Sequence, residues 1–171
     1  METSLTAYTD QIDKIIKQWG DERPDVDVSP VAIFGRIARI NRLLEDYLAD
    51  FLCKNNLTLG LFDVLTALRR SGEPYKSKPS ELADMTMLTS GGMTGRLDQL
   101  EELGLVKRIS DLHDSTVMLA QLTAKGLDLI DELIEEHFHR ETELLKGIEK
   151  KDQIKVSNLL REIETAMTGI K

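Results

Sequence analysis

The chain has few of the residues that staple, kink or stack a fold. Its one cysteine, Cys53, has no partner for an internal disulfide. Cys53 falls beside Leu52 at the end of an apolar helical run, which predicts a packed cysteine rather than a reactive one. Only 4 prolines and 11 glycines interrupt 171 residues, and aromatics make up 5%, with Trp19 the single tryptophan. So few breakers predict a helix-rich globular chain. No apolar run approaches the roughly 18 residues of a membrane span, and no basic-then-apolar leader suggests export. A cytoplasmic protein is expected. Positive charge is the scarcer sign, 22 Lys and Arg against 30 Asp and Glu, for a formal net charge of -8. That excludes a surface attracting phosphate everywhere and leaves a local basic stripe as the only route to a nucleic acid. The usual signatures of chemistry are missing as well: no Ser/His/Asp set, no phosphate loop and no Cys cluster. His137 and His139 are two apart on a helix and point away from each other, whereas a helical metal pair needs four-residue spacing. No catalytic residue, metal or cofactor is expected.

What the chain does have is periodicity. Between Thr6 and Trp19 apolar residues recur at Ile12, Ile15, Ile16 and Trp19, which predicts a helix. The segment from Gly20 to Pro30 then reads as a linker. A long helix follows to Cys53, through Val31, Phe34, Ile37, Leu44, Tyr47, Leu48 and Phe51, and Asn55-Asn56 breaks it. Thr58 caps a third helix through Leu68, closed by Ser71-Gly72. From Glu73 to Thr123 the pattern changes. A short helix over Pro79 to Met85 begins with proline where its missing N-H costs nothing. Thr89 or Ser90 caps a second helix with Met93, Leu97, Leu100 and Leu103 on one face, stopping at Gly104. Leu105 to Ile109 and Thr116 to Leu122 favour strands, with a polar turn between them. Thr123 caps a further long helix, Gly147 interrupts it, and a last helix carries Ile154, Leu159, Leu160, Ile163 and Met167.

That order predicts a mainly α fold with a small β-wing: a winged helix-turn-helix over residues 57–122, with residues 1–56 and 123–171 forming a helical dimerisation region of the same domain. The first and last helices have apolar stripes too large for so small a module to cover. A two-fold homodimer is the simplest way to bury them.

The residues Leu57-Thr58, Phe62-Asp63-Val64-Leu65, Ser80-Glu81-Leu82-Ala83, Thr89 to Thr94, Arg96-Leu97-Asp98, Gly104-Leu105-Val106, Arg108, Asp114, Leu122-Thr123 and Gly126, in that order, resemble the MarR family of bacterial transcriptional regulators. The resemblance implies a dimer that presents two winged helices to a palindromic double-stranded operator. Trp19 and the segment from Gln18 to Pro30, placed before the long helix, resemble the urate-responsive branch of that family. In that branch the ligand contacts match Trp19, Asp63, Ser71 and Arg96 here, and the implied effector is urate or another small aromatic anion.

On a helical wheel Arg96 falls on the flank of the buried face, poorly aimed at a groove floor and well placed to point between the winged helix and the dimer helices, a junction where a small-molecule pocket is expected. The expected DNA contacts are Ser90, Gly91, Thr94 and Gly95 on that helix, with Lys76, Lys78, Lys107, Arg108 and His113 around it. Here the chain departs from the family pattern. Gln99 stands where an arginine is usual, and Ser115 and Thr116 replace the wing's arginine pair. Between Pro74 and Thr116 there are five basic side chains against seven acidic ones. Weak DNA binding with a shallow salt dependence is expected. A second reading is a dimeric winged-helix interaction module that has lost most of its DNA affinity.

Overall fold

A computed structural model describes residues 9–86, 92–111, 114 and 116–169. The chain divides into two compact units, Met1–Gly60 and Leu61–Lys171.

In the first unit, α1 (Gln11–Glu22) starts where local hydrogen bonds start it. The Asp10 carboxylate accepts from the Ile12 and Asp13 amides at 2.8 and 2.9 Å, and Asp13 accepts from the Asp10 amide at 2.9 Å. The expected start near Thr6 lies outside the described residues. At the other end the helix runs through Gly20 to Glu22, so the linker is shorter than its composition suggests. It stops at Arg23, the residue before a proline, where helical backbone is disfavoured. Next comes α2 (Val31–Leu52), the expected spine. Ile12 packs over Gly35, and the Arg36 guanidinium reaches Asp10 at 3.1 Å and Asp13 at 2.7 Å. Cys53 is a correction to the sequence reading, because it is exposed. A 3-10 turn over Cys53–Asn55 follows α2 and rotates it off the buried line of Leu48, Phe51 and Leu52.

The second unit continues α3 (Leu59–Arg70), whose Val64, Leu65 and Leu68 are fully buried together with Leu82, Leu97, Leu100, Leu105 and Ile130. Each such side chain contributes roughly 1.5–3 kcal/mol over leaving it in water. Helix α4 (Pro79–Met85) keeps the expected bounds. Glu81 reaches back to accept from the Lys78 amide and the Ser77 hydroxyl at 3.1 and 2.7 Å. Helix α5 (Met93–Glu102) buries Met93, Leu97 and Leu100 as expected; Leu103, expected on the same face, lies just past the helix and is half-buried, and Gly104 follows at φ +70°. Its expected cap, Thr89 or Ser90, lies outside the described residues.

Strands β2 (Val106–Ser110) and β3 (Met118–Leu122) form the antiparallel wing. They are joined by β1 (Lys76–Ser77), absent from the sequence reading, in the order β1-β3-β2. Thr123 then caps α6 (Ala124–Leu144), accepting from the Gly126 amide at 3.0 Å and donating to the Gly104 carbonyl at 2.8 Å. A Cβ at position 126 would collide with the Leu105 carbonyl, so glycine there lets α6 lie directly on the base of the wing. The last helix, α7 (Lys150–Gly169), buries no residue in this chain. Among the described residues no helix is long and apolar enough to cross a membrane.

Candidate DNA-reading face and effector site

Two sets of side chains in the second unit point in opposite directions, and the backbone decides which goes where. On α5, Thr94 and Gly95 are exposed on the side away from Met93, Leu97 and Leu100. Lys107 and Arg108 are neighbours on β2 and therefore face opposite sides of the sheet. Lys107 shares a row with Gln121 and Lys76, because Gln121 pairs with both. Two of the expected basic residues thus occupy one face, two strands apart. Arg108 faces the other way. Its guanidinium donates to Asp98 at 2.5 Å and to Glu101 at 2.6 Å on α5, and its amide donates to Glu101 at 3.2 Å. These acceptors hold the guanidinium above its ordinary range, Asp98 most strongly. The strand arginine therefore locks wing to helix. Lys78 is exposed at the start of α4. Beyond β2, Asp114 accepts from the amide and hydroxyl of Thr116 at 2.9 and 2.6 Å. Ser90, Gly91 and His113 lie outside the described residues.

Behind α5 a second arrangement forms. Asp63 sits one residue from the buried Phe62 and Val64 on α3, on the flank of the apolar face, and is partly buried. No hydrogen bond to its carboxylate forms among the described residues. Burial pushes the Asp63 carboxyl above its ordinary range, and the attraction of His137, Arg70 and Arg96 offsets this only in part. Arg70 is engaged elsewhere, donating to the carbonyls of Thr66 at 3.3 Å and Met85 at 3.1 Å. Arg96 bonds to no described residue, and its Nη1 is buried without a partner. The guanidinium is folded back over Gly92, where any Cβ would strike it. Arg96 thus attracts the Asp63 charge, and no direct ion pair joins the two among the described residues.

Ser71, at the end of α3, is exposed and donates its hydroxyl to the Leu68 carbonyl at 2.7 Å, leaving only lone pairs for another partner. Trp19 belongs to the first unit and is 52% exposed.

One residue of this arrangement escaped the sequence reading. His137 on α6 packs its ring on Phe62, with centroids 5.0 Å apart, and its Nδ1 is buried without a hydrogen-bond partner. Arg69 on α3 also reaches Asp131 on α6 at 2.5 Å. The two pairs run in opposite sequence order, so α3 and α6 lie antiparallel and carry His137 to the level of Asp63. The signal was present in the spacing. His137 is seven residues after Ile130 and four after Leu133, on the line α6 buries.

Residues 55–115 match the MarR family model. The chain is 33% identical to the HTH-type transcriptional regulator PecS of Dickeya dadantii over 154 residues, covering 90% of this chain and 93% of that one. Among solved structures, the organohalide-sensing RdhR regulator in its 2,4-dichlorophenol-bound form superposes with a TM-score of 0.71 at 18% identity, covering 79% of each chain. BpsR of Bordetella bronchiseptica, whose DNA binding is regulated by 6-hydroxynicotinic acid, superposes with a TM-score of 0.68 at 20% identity, covering 77% of this chain and 92% of that one.

Proposed function

The chain belongs to the MarR family, and on that premise we propose that this DNA-binding transcriptional regulator works as a homodimer on a palindromic operator and is released by a small aromatic anion such as urate. The observation that carries the effector reading is Arg96. It comes from the helix proposed to read DNA, turns away from the exposed face, and holds a buried, unpartnered N-H within electrostatic reach of a carboxyl that burial already disfavours as an anion. An incoming anion satisfies Arg96, repels the Asp63 charge, and favours the protonated acid. Both changes act on α5. A ligand that prefers one position of that helix shifts its population, which is the physical content of induced DNA release. Two proteins of this fold supply a chemical parallel, one bound to a chlorophenol and one regulated by a hydroxynicotinic acid.

Thr94 and Gly95, with Lys76, Lys78 and Lys107, are the DNA contacts proposed among the described residues; Ser90, Gly91 and His113 complete that set. Trp19, Asp63, Ser71 and Arg96 are the proposed effector contacts. Because the chain has 1 Trp, its fluorescence during a urate titration reports whether Trp19 takes part. The decisive comparison is wild type against Arg96→Gln. The expected outcome is saturable urate binding by the wild type and at least about tenfold weaker binding by the variant, a loss of about 1.4 kcal/mol. Equal binding by both would remove Arg96 from the site.

The Arg108 lock favours a second reading as a protein-interaction module, since it takes a cation away from the reading surface. Failure of the purified protein to shift its own upstream intergenic DNA at low salt would select that reading.

A further inference from the structure

We propose that His137 is a direct effector contact, whose Nδ1 bonds the anion beside Arg96 and so helps choose which aromatic anions act. The inference rests on the effector reading above. Among the described residues only two side chains hold a buried polar atom with no partner, Arg96 Nη1 and His137 Nδ1, and both act on the same carboxyl, Asp63. A buried polar atom left unmet is destabilising, so each one calls for a partner.

The rest of the imidazole is accounted for. Its face rests on Phe62 at an interplanar angle of 48°, its Nε2 lies 3.4 Å from Glu141 Oε1, and its side chain is 15% exposed. A residue that merely filled this position on the buried line of α6 would be apolar, like Ile130 and Leu133 before it. The ring is thus held against Phe62 with one nitrogen unmet, and His137 and Arg96 both lie within electrostatic reach of Asp63. The chemistry of these groups calls for a planar anion with at least two separated polar atoms, one accepting from the guanidinium and one meeting the imidazole. A purine anion such as urate offers several; an aromatic ring with a single phenolate offers one.

The test uses the full chain and urate as the probe, read by calorimetric titration and by the imidazole nitrogen resonances of uniformly 15N-labelled protein. His137→Phe keeps the ring on Phe62 and removes the nitrogen, and it is expected to weaken urate binding about tenfold. His137→Asn places an amide where Nδ1 stood, and it is expected to stay within about threefold of wild type, a difference below 1 kcal/mol by the same relation. In the wild type, the Nδ1 resonance is expected to move on saturation. Urate affinity unchanged in His137→Phe, or a wild-type Nδ1 resonance that does not move, overturns the contact while leaving the Arg96 site in place. If His137→Phe does not fold, the resonance decides alone. Urate that binds through His137 yet leaves the protein on DNA overturns the effector reading and leaves the contact. A wild type that gives no heat with urate overturns both.

Discussion

Asp63 carries a charge that its surroundings oppose. Because burial raises its folded pKa above the ordinary value of 3.8, the folded chain holds the proton more tightly than the unfolded one as pH rises through that range. Stability therefore falls as pH climbs from below 3.8 through the raised value, and the penalty stays at neutral pH. Asp63→Asn removes it. The variant is expected to melt above wild type at pH 7, with the gap closing below about pH 3.9; a gap that widens on acidification would contradict the assignment. Gly92 offers a subtler probe of the same cluster. Its φ of -100° suits any residue, so Gly92→Ala is expected to fold, yet its methyl must displace the Arg96 guanidinium. Urate affinity measured by calorimetry is expected to drop toward that of Arg96→Gln, and wild-type affinity in Gly92→Ala would mean that Arg96 is not held there for binding. At this scale the sequence was informative for Arg96, whose flank position follows from helical geometry and the burial of Met93, Leu97 and Leu100. It was silent about Asp63 and His137 as neighbours, because 74 positions separate them and only the antiparallel packing of α3 and α6 brings them together.

Between elements, the Arg108 lock joins α5 to the wing through two largely exposed acids, each pair worth roughly 0–1 kcal/mol. Its greater effect is electrostatic, since it neutralises a cation that would otherwise be free to meet a phosphate. Replacing Asp98 and Glu101 together by Asn and Gln is expected to free that cation and steepen the log-log salt dependence of DNA binding by about 0.9, one phosphate contact. An unchanged slope would show that Arg108 cannot reach DNA even when released. Element boundaries were legible where local chemistry sets them: α4 begins at a proline with Glu81 capping its first turn, and α6 begins at Thr123. They were not legible where a partner element sets them. Strand β1 is two residues between Pro74 and Pro79 with no alternation of its own, and it exists because β3 supplies its hydrogen bonds. Cys53 is exposed for a related reason: the backbone tightens into a 3-10 turn there, just past the apolar pattern of α2.

At the level of the whole molecule, α2 leaves Ile33, Phe34, Ile37, Ile40 and Leu43 exposed, and α7 leaves Ile154, Val156, Leu159, Leu160 and Met167 exposed. Apolar faces of this length mark an interface. Light scattering on the purified protein is expected to give twice the chain mass, and Leu160→Glu is expected to shift it toward the monomer with loss of operator binding; a monomeric wild type that still binds its operator would remove the dimer from the account. The central claim is that an aromatic anion at Arg96 loosens the grip on DNA, and one titration tests it most directly. Labelled upstream intergenic DNA is held by the wild type at low salt, urate is added, and fluorescence anisotropy is followed beside the same titration on Arg96→Gln. Urate is expected to return the wild-type signal to that of free DNA while the variant stays bound at the same concentrations. Wild-type protein that remains on the DNA at saturating urate would contradict it.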